Sequence, residues 1–129
     1  MFMMKKNYPF CSISRDRILL DNRSGCLMSG EFPISPEHNL ITPRDHHTDF
    51  FDIPEIGPFD LFRLVDEGKN LLDKSPCPHD YNIGINSGAA AGQSVPHLHI
   101  HLIPRFSEDQ KDPRCGIRWI FPDKARYWA

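Results

Sequence analysis

The sequence predicts an α+β fold in which a single helix covers one face of a small sheet. Three observations carry this. The run His97-Leu98-His99-Ile100-His101-Leu102-Ile103 alternates imidazole and aliphatic side chains, the period of a strand with two unlike faces. Between about Pro58 and Lys74, Leu61, Phe62, Leu64, Val65, Gly68, Leu71 and Leu72 make an apolar stripe at helical spacing. The other apolar runs are short and bounded by turn residues.

Taken in order, Ile18-Leu19-Leu20 is a short strand, and Asp21-Asn22-Arg23-Ser24-Gly25 has the composition of a hairpin turn. Cys26-Leu27-Met28 is the partner strand. After the Pro33 to Pro36 loop, Asn39-Leu40-Ile41-Thr42 forms another strand, closed by Pro43 and Arg44-Asp45-His46-His47. Gly57-Pro58 suits a helix entry, because proline at the first helical position loses nothing, and Ser75-Pro76 stops the helix. Tyr81 to Asn86 and His97 to Ile103 are the two better strands. Ser87 to Ser94 joins them and is too small-sided and glycine-rich for core. The end of the chain, Gly116 to Phe121 and Tyr127-Trp128, carries too many large aromatics for a free tail. It is expected to dock on the body or on another subunit.

A chain of 129 residues has room for one domain, 1–129, with one continuous core at about 10–105. With 15 basic against 17 acidic residues there is no electrostatic signature of a nucleic-acid or membrane partner. No apolar stretch approaches the roughly 20 residues of a membrane span. Cys11, Cys26, Cys77 and Cys115 stand far apart, and Lys5 and Lys6 interrupt the apolar start at once. Reduced thiols and a cytoplasmic location are expected.

The chemistry gathers on the alternating run. It sends His97, His99 and His101 to one side and Leu98, Ile100 and Leu102 to the other, where they can be buried. Imidazole serves as base, acid, nucleophile or metal ligand near neutral pH. The preceding Gly88-Ala89-Ala90-Ala91-Gly92 lets backbone N–H groups approach a ligand closely, and Gln93 and Ser94 add polar groups at its end. Small loop and imidazoles together suit an anionic phosphate.

Asn86 to Arg105, with its His97-Leu98-His99-Ile100-His101 centre, resembles the signature of the histidine triad (HIT) family of nucleotide hydrolases and transferases. Pro36-Glu37-His38-Asn39-Leu40-Ile41-Thr42-Pro43-Arg44-Asp45-His46 resembles that family's other motif. The likeness runs from about Phe10 to Arg105, and the Gly116 to Trp128 ending resembles that of bacterial members. It implies a homodimer of α+β subunits, each with a five-strand antiparallel sheet, the two joining into one larger sheet. It also implies displacement at the α-phosphorus of a purine nucleotide conjugate, such as a nucleoside phosphoramidate or a dinucleoside polyphosphate. His99 would form a covalent nucleotidyl-imidazole, with its other nitrogen donating to a backbone carbonyl of the same strand. His101 would contact the phosphate or leaving group, and His97 and His38 would orient the cluster. Gln93, Ser94 and Asn86 match positions that approach the phosphate or ribose.

The motif differs at two places: Glu37 stands where the family has glycine, and Gly30 where it often carries a ribose-binding acid, a role Glu31 could take over. Many bacterial relatives hold a structural zinc through C-x-x-C and two histidines. Here Cys11, His46 and His97 remain but Tyr8 replaces the first cysteine, so neither metal nor cofactor is expected. Two other readings stay open. One is a zinc enzyme with ligands presented as His-x-His on a strand. The other is a nucleotide-binding regulatory protein with negligible turnover.

Overall fold

The computed structural model describes residues 13–128. Five antiparallel strands make one sheet: β1 (Ile18–Asp21), β2 (Gly25–Ser29), β3 (Asn39–Pro43), β4 (Asp80–Ile85) and β5 (Ile100–Arg105), in the order β1-β2-β3-β5-β4. One helix, α1 (Gly57–Lys74), crosses a single face. This is the predicted α+β arrangement.

The alternation in β5 sorts the two faces. Ile100 and Leu102 join Leu27, Ile41 and the helical Leu61, Leu64, Val65 and Leu72 in one buried cluster, with Leu98 just ahead of the strand. Each fully buried leucine or isoleucine contributes roughly 1.5–3 kcal/mol by leaving water, so this cluster holds helix to sheet. On the opposite face the register places Met28 beside Leu40 and Leu40 beside His101. The β1–β2 turn is tied to the start of α1, where Arg23 Nε and Ser24 Oγ donate to the Asp60 carboxylate at 2.8 and 2.5 Å.

Two differences from the sequence reading have physical causes. Phe62 and Leu71, expected in the buried stripe, are exposed, because the sheet covers an arc of the helix no wider than Leu61, Leu64, Val65, Gly68 and Leu72. The histidine strand begins at Ile100 rather than His97. Pairing with β3 stops at Ile41–Ile100, and beyond it Thr42 Oγ1 donates to the Leu98 carbonyl at 3.0 Å while Leu98 N–H donates to His47 O at 2.7 Å. His97, Leu98 and His99 are therefore held by side-chain and loop bonds, not by the ladder. Within this chain Trp119, Phe121 and Tyr127 are exposed. Their segment packs on its own arginines, with Arg114 over Trp128 at 4.1 Å and Arg118 over Tyr127 at 5.0 Å, and Ala125 is its buried anchor.

No helix among the described residues is long and apolar enough to cross a membrane.

Candidate active site

His97 and His99 are buried, and His101 is partly buried at the third step of the alternation. The rings of His99 and His101 lie 5.1 Å apart, and those of His101 and His38 5.2 Å apart. His38 comes from the turn before β3, where the His38 N–H donates to Ser35 O and the Gly30 N–H donates to His38 O. A side chain at Gly30 would put its Cβ 2.9 Å from that His38 oxygen, so the missing acid at this position coincides with a close backbone approach. Glu37 accepts the conformation usually left to glycine, with φ at 61°, and Asn39 Nδ2 steadies it by donating to its carbonyl at 2.9 Å.

Hydrogen-bond partners decide which ring nitrogen carries the proton. His99 Nδ1 is 2.9 Å from His97 O, an acceptor only, so Nδ1 is protonated and the lone pair of the neutral ring sits on Nε2. His38 and His101 run the other way. The Ile34 N–H donates to His38 Nδ1 at 3.2 Å, so His38 Nε2 carries the proton and donates to His101 Nδ1 at 3.0 Å. That leaves the His101 proton on Nε2. The two neighbouring rings thus offer opposite faces, a lone pair from His99 and an N–H from His101. Burial is the chief cause that holds His101 down to about 4, with the neighbouring His99 and His38 adding to it. Burial likewise lowers His97 to about 4, partly opposed by its bond to the Pro43 carbonyl, and lowers His38. The pairing of His38 with His101 is that of neutral rings at pH 7.

A groove of about 500 Å3 runs from His101 over the β4–β5 face. Ile34, Asn86, Ile103, Arg105 and Ile117 are among the residues that line it. Arg105 is engaged there by both oxygens of Asp109, at 2.8 and 2.7 Å, and by Asn82. Ile34, Ile103 and Ile117 were not singled out in the sequence, where only the alternation of β5 points Ile103 to the side of His101. Asn86 is exposed and borders the groove, whereas Glu31 is exposed in the 30–37 loop and is not among the residues lining it.

The loop from Ser87 to Ser94 turns on Gly88 and Gly92, with φ of 95° and 87°, around a single 3-10 turn at Ala89–Ala91. Gln93 closes the loop with its side chain. Its Oε1 accepts from Gly88 N–H at 2.8 Å, and its Nε2 donates to Thr48 O and Val95 O at 2.7 and 3.1 Å. Ser94 follows directly and is exposed. In this structure, then, Gln93 shapes the loop while Ser94 remains at the surface.

His46 and His97 face each other with Nδ1 atoms 3.1 Å apart, and His97 Nε2 donates to Pro43 O at 3.4 Å. Tyr8 and Cys11, the other two positions of the zinc motif, lie outside the described residues. Among the described residues no group of three or more His, Cys, Asp or Glu side chains could hold a metal ion.

A family model described as HIT domain matches residues 14–108. An uncharacterized HIT-like protein of Saccharolobus solfataricus is 33% identical over 105 residues, which is 78% of this chain and 75% of that protein. The asymmetrical bis(5'-nucleosyl)-tetraphosphatase of Schizosaccharomyces pombe is 38% identical over 77 residues, or 60% of this chain. This chain spans only 42% of that enzyme's length. Among solved structures, the diadenosine triphosphate hydrolase of Plasmodium falciparum superposes with a TM-score of 0.74 at 25% identity, covering 81% of this chain and 73% of the other. These relatives are archaeal and eukaryotic, so the likeness is to the family at large and gives no special weight to its bacterial members.

Proposed function

Because the chain belongs to the HIT domain family, we propose that it is a nucleotide hydrolase acting at the α-phosphorus of a nucleotide conjugate through a covalent intermediate on His99. The observation that carries this reading is the opposite tautomers of two adjacent rings, fixed by the bonds of His99 to His97 O and of His38 to His101.

In the first step His99 Nε2 forms a bond to phosphorus while the bond to the leaving group breaks. The His101 Nε2–H donates a hydrogen bond to the departing nitrogen or oxygen, which leaves carrying a proton drawn from solvent. The His99 Nδ1–H stays on the His97 carbonyl, which stabilises the positive charge the ring acquires. In the second step a water attacks the phosphorus and loses a proton to solvent. The phosphorus–nitrogen bond to His99 then breaks, releasing a nucleoside monophosphate and restoring the neutral His99 ring. One difficult displacement becomes two easier ones.

Asn86 and Ser94 flank the position of the phosphoryl group in this reading, with Gln93 holding the loop between them. His97 supplies the carbonyl that sets the nucleophile's tautomer, and Glu31 lies on the loop toward the ribose. The substrate is a purine nucleotide conjugate, and the acting form is a homodimer. Support for the dimer comes from the open edge of β4, where Ile83 is 54% exposed, and from Phe59 at 77% on the adjoining helix.

The test is turnover of adenosine phosphoramidate, a diadenosine polyphosphate and an aminoacyl-adenylate by wild type and His99→Ala. Wild type should release the nucleoside monophosphate from at least one, and His99→Ala should lose this by several orders of magnitude while still binding nucleotide. Acid-labile nucleotide trapped on His99 supports the covalent route. Trapping on another residue overturns it, and a wild type that binds but turns over none of the panel leaves a regulatory nucleotide-binding protein.

A further inference from the structure

Three consecutive residues after β3 hold three separate points of the chain that carries the proposed chemistry. His47 O accepts from Leu98 N–H at 2.7 Å. Thr48 O accepts from Gln93 Nε2 at 2.7 Å. Asp49 Oδ1 accepts from Ser87 Oγ at 2.6 Å. Each held residue adjoins a member of the proposed site in sequence: Leu98 sits between His97 and His99, Gln93 precedes Ser94, and Ser87 follows Asn86. Because the β3–β5 ladder ends at Ile100, no ladder pairing extends to His97 or His99. This bracket holds the segment together with the bonds from Thr42 and Pro43.

Asp49 is the one member of the bracket that acts through its side chain. Its carboxylate is itself anchored, since Oδ1 also accepts from Phe51 N–H at 3.0 Å and caps the 3-10 turn at Phe50–Asp52. Ser87 Oγ in turn accepts from Phe50 N–H at 3.3 Å. Resting on the reaction proposed for His99, we propose that Asp49 is a positioning residue, holding the phosphate-facing loop and the histidine segment in register through Ser87. Asp49 touches no reacting atom. It sets the start of the loop, and the loop's closure by Gln93 carries that position to Ser94. Displacements of about 1 Å at a reacting centre cost on the order of a hundredfold in rate, so a loosened bracket is read in kcat.

The experiment compares wild type, Asp49→Ala, Asp49→Asn and Ser87→Ala. It uses steady-state turnover of adenosine phosphoramidate and backbone hydrogen exchange at Gly88 and Leu98. Asp49→Ala and Ser87→Ala should each lower kcat by about ten- to a hundredfold with a smaller change in KM, and their double variant should lose no more than either alone. Both should speed exchange at Gly88 and Leu98 while leaving the amides of α1 unchanged. Asp49→Asn keeps an acceptor oxygen and should recover most of the rate. Ser87→Ala leaves the cap on Phe51 intact, so a capping role alone would make it silent in both measurements. Unchanged kcat with unchanged exchange in Asp49→Ala and Ser87→Ala overturns the proposal, as does a loss confined to thermal stability. If wild type turns over nothing, the proposed reaction falls, and hydrogen exchange alone decides the bracket.

Discussion

His38 Nε2 stands 3.0 Å from His101 Nδ1, and the Ile34 amide occupies the other nitrogen of His38. A residue just ahead of β3 thereby decides which nitrogen of His101 faces the groove. The N–H that His101 can offer a leaving group depends on a backbone N–H two hydrogen bonds away.

Removing His38 should therefore be felt according to the leaving group. His38→Ala is expected to lower kcat on the order of a hundredfold for an adenosine phosphoramidate of an alkylamine, which needs a proton to depart. An adenosine ester with a nitrophenolate leaving group, which departs without one, should lose far less. Parallel steady-state kinetics on the two substrates check this, and equal losses would place His38 elsewhere in the mechanism.

Acid should destabilise the fold in a window set by the buried imidazoles. His97 and His101 are held down to about 4 by burial, against an ordinary value of 6.5. Between those limits the unfolded chain binds protons that the folded chain does not, so stability rises with pH across this interval. The full contribution is present above about pH 6.5 and is lost as pH falls through 4. Melting temperature measured from pH 7 to 4 should fall steadily, and less steeply in His97→Gln. Asp109, lowered to about 2 chiefly by its bond from Arg105, acts in a lower window between 3.8 and 2 and does not account for this loss.

Glu37 holds a left-handed backbone at φ 61°. That conformation costs a side-chain-bearing residue about 1–2 kcal/mol, and glycine returns part of the gain as extra freedom in the unfolded chain. Glu37→Gly should raise stability by about 0.5–1 kcal/mol in urea unfolding with turnover retained. Glu37→Val should lower both, because the strained turn leads directly into His38.

The edge of β4 and the exposed face of α1 predict where two copies meet. Ile83→Asp together with Phe59→Ser is expected to give monomers in sedimentation velocity, while wild type runs as a dimer. A monomeric wild type at working concentration would remove this part of the proposal.

Periodicity and turn chemistry made most elements legible in the sequence. Gly57–Lys74 lies within a residue of the stripe that predicts it, and β4 is displaced by one residue from Tyr81–Asn86. The start of β5 was not legible, because alternation of His97, His99 and His101 continues beyond the point where β3 stops offering partners. That end point depends on Thr42 and His47, 56 and 51 residues away from the groups they hold. The triad and His38 stood out as motifs, but nothing local marks Asp49 or Ser87. Their contact joins positions 38 residues apart and exists because β4 and the end of β3 both flank β5. The exposure of Phe62 and Leu71 was hidden for a related reason: a helical stripe shows which residues are apolar, not how wide an arc the sheet covers.

The sheet order also constrains when the site can come into being. β5 is the last strand in the chain yet lies between β3 and β4, so the ladder β1-β2-β3 is complete in sequence long before its neighbour is available. Pairing of Ile41 with Ile100 closes a long loop, a slow kind of contact whose entropy cost is met before it is rewarded. Until it forms, His38 has no His101 to orient. A chain that has made only β1 to β3 carries His38 without the three histidines it is to meet, and the reactivity is born in one late step with the insertion of β5.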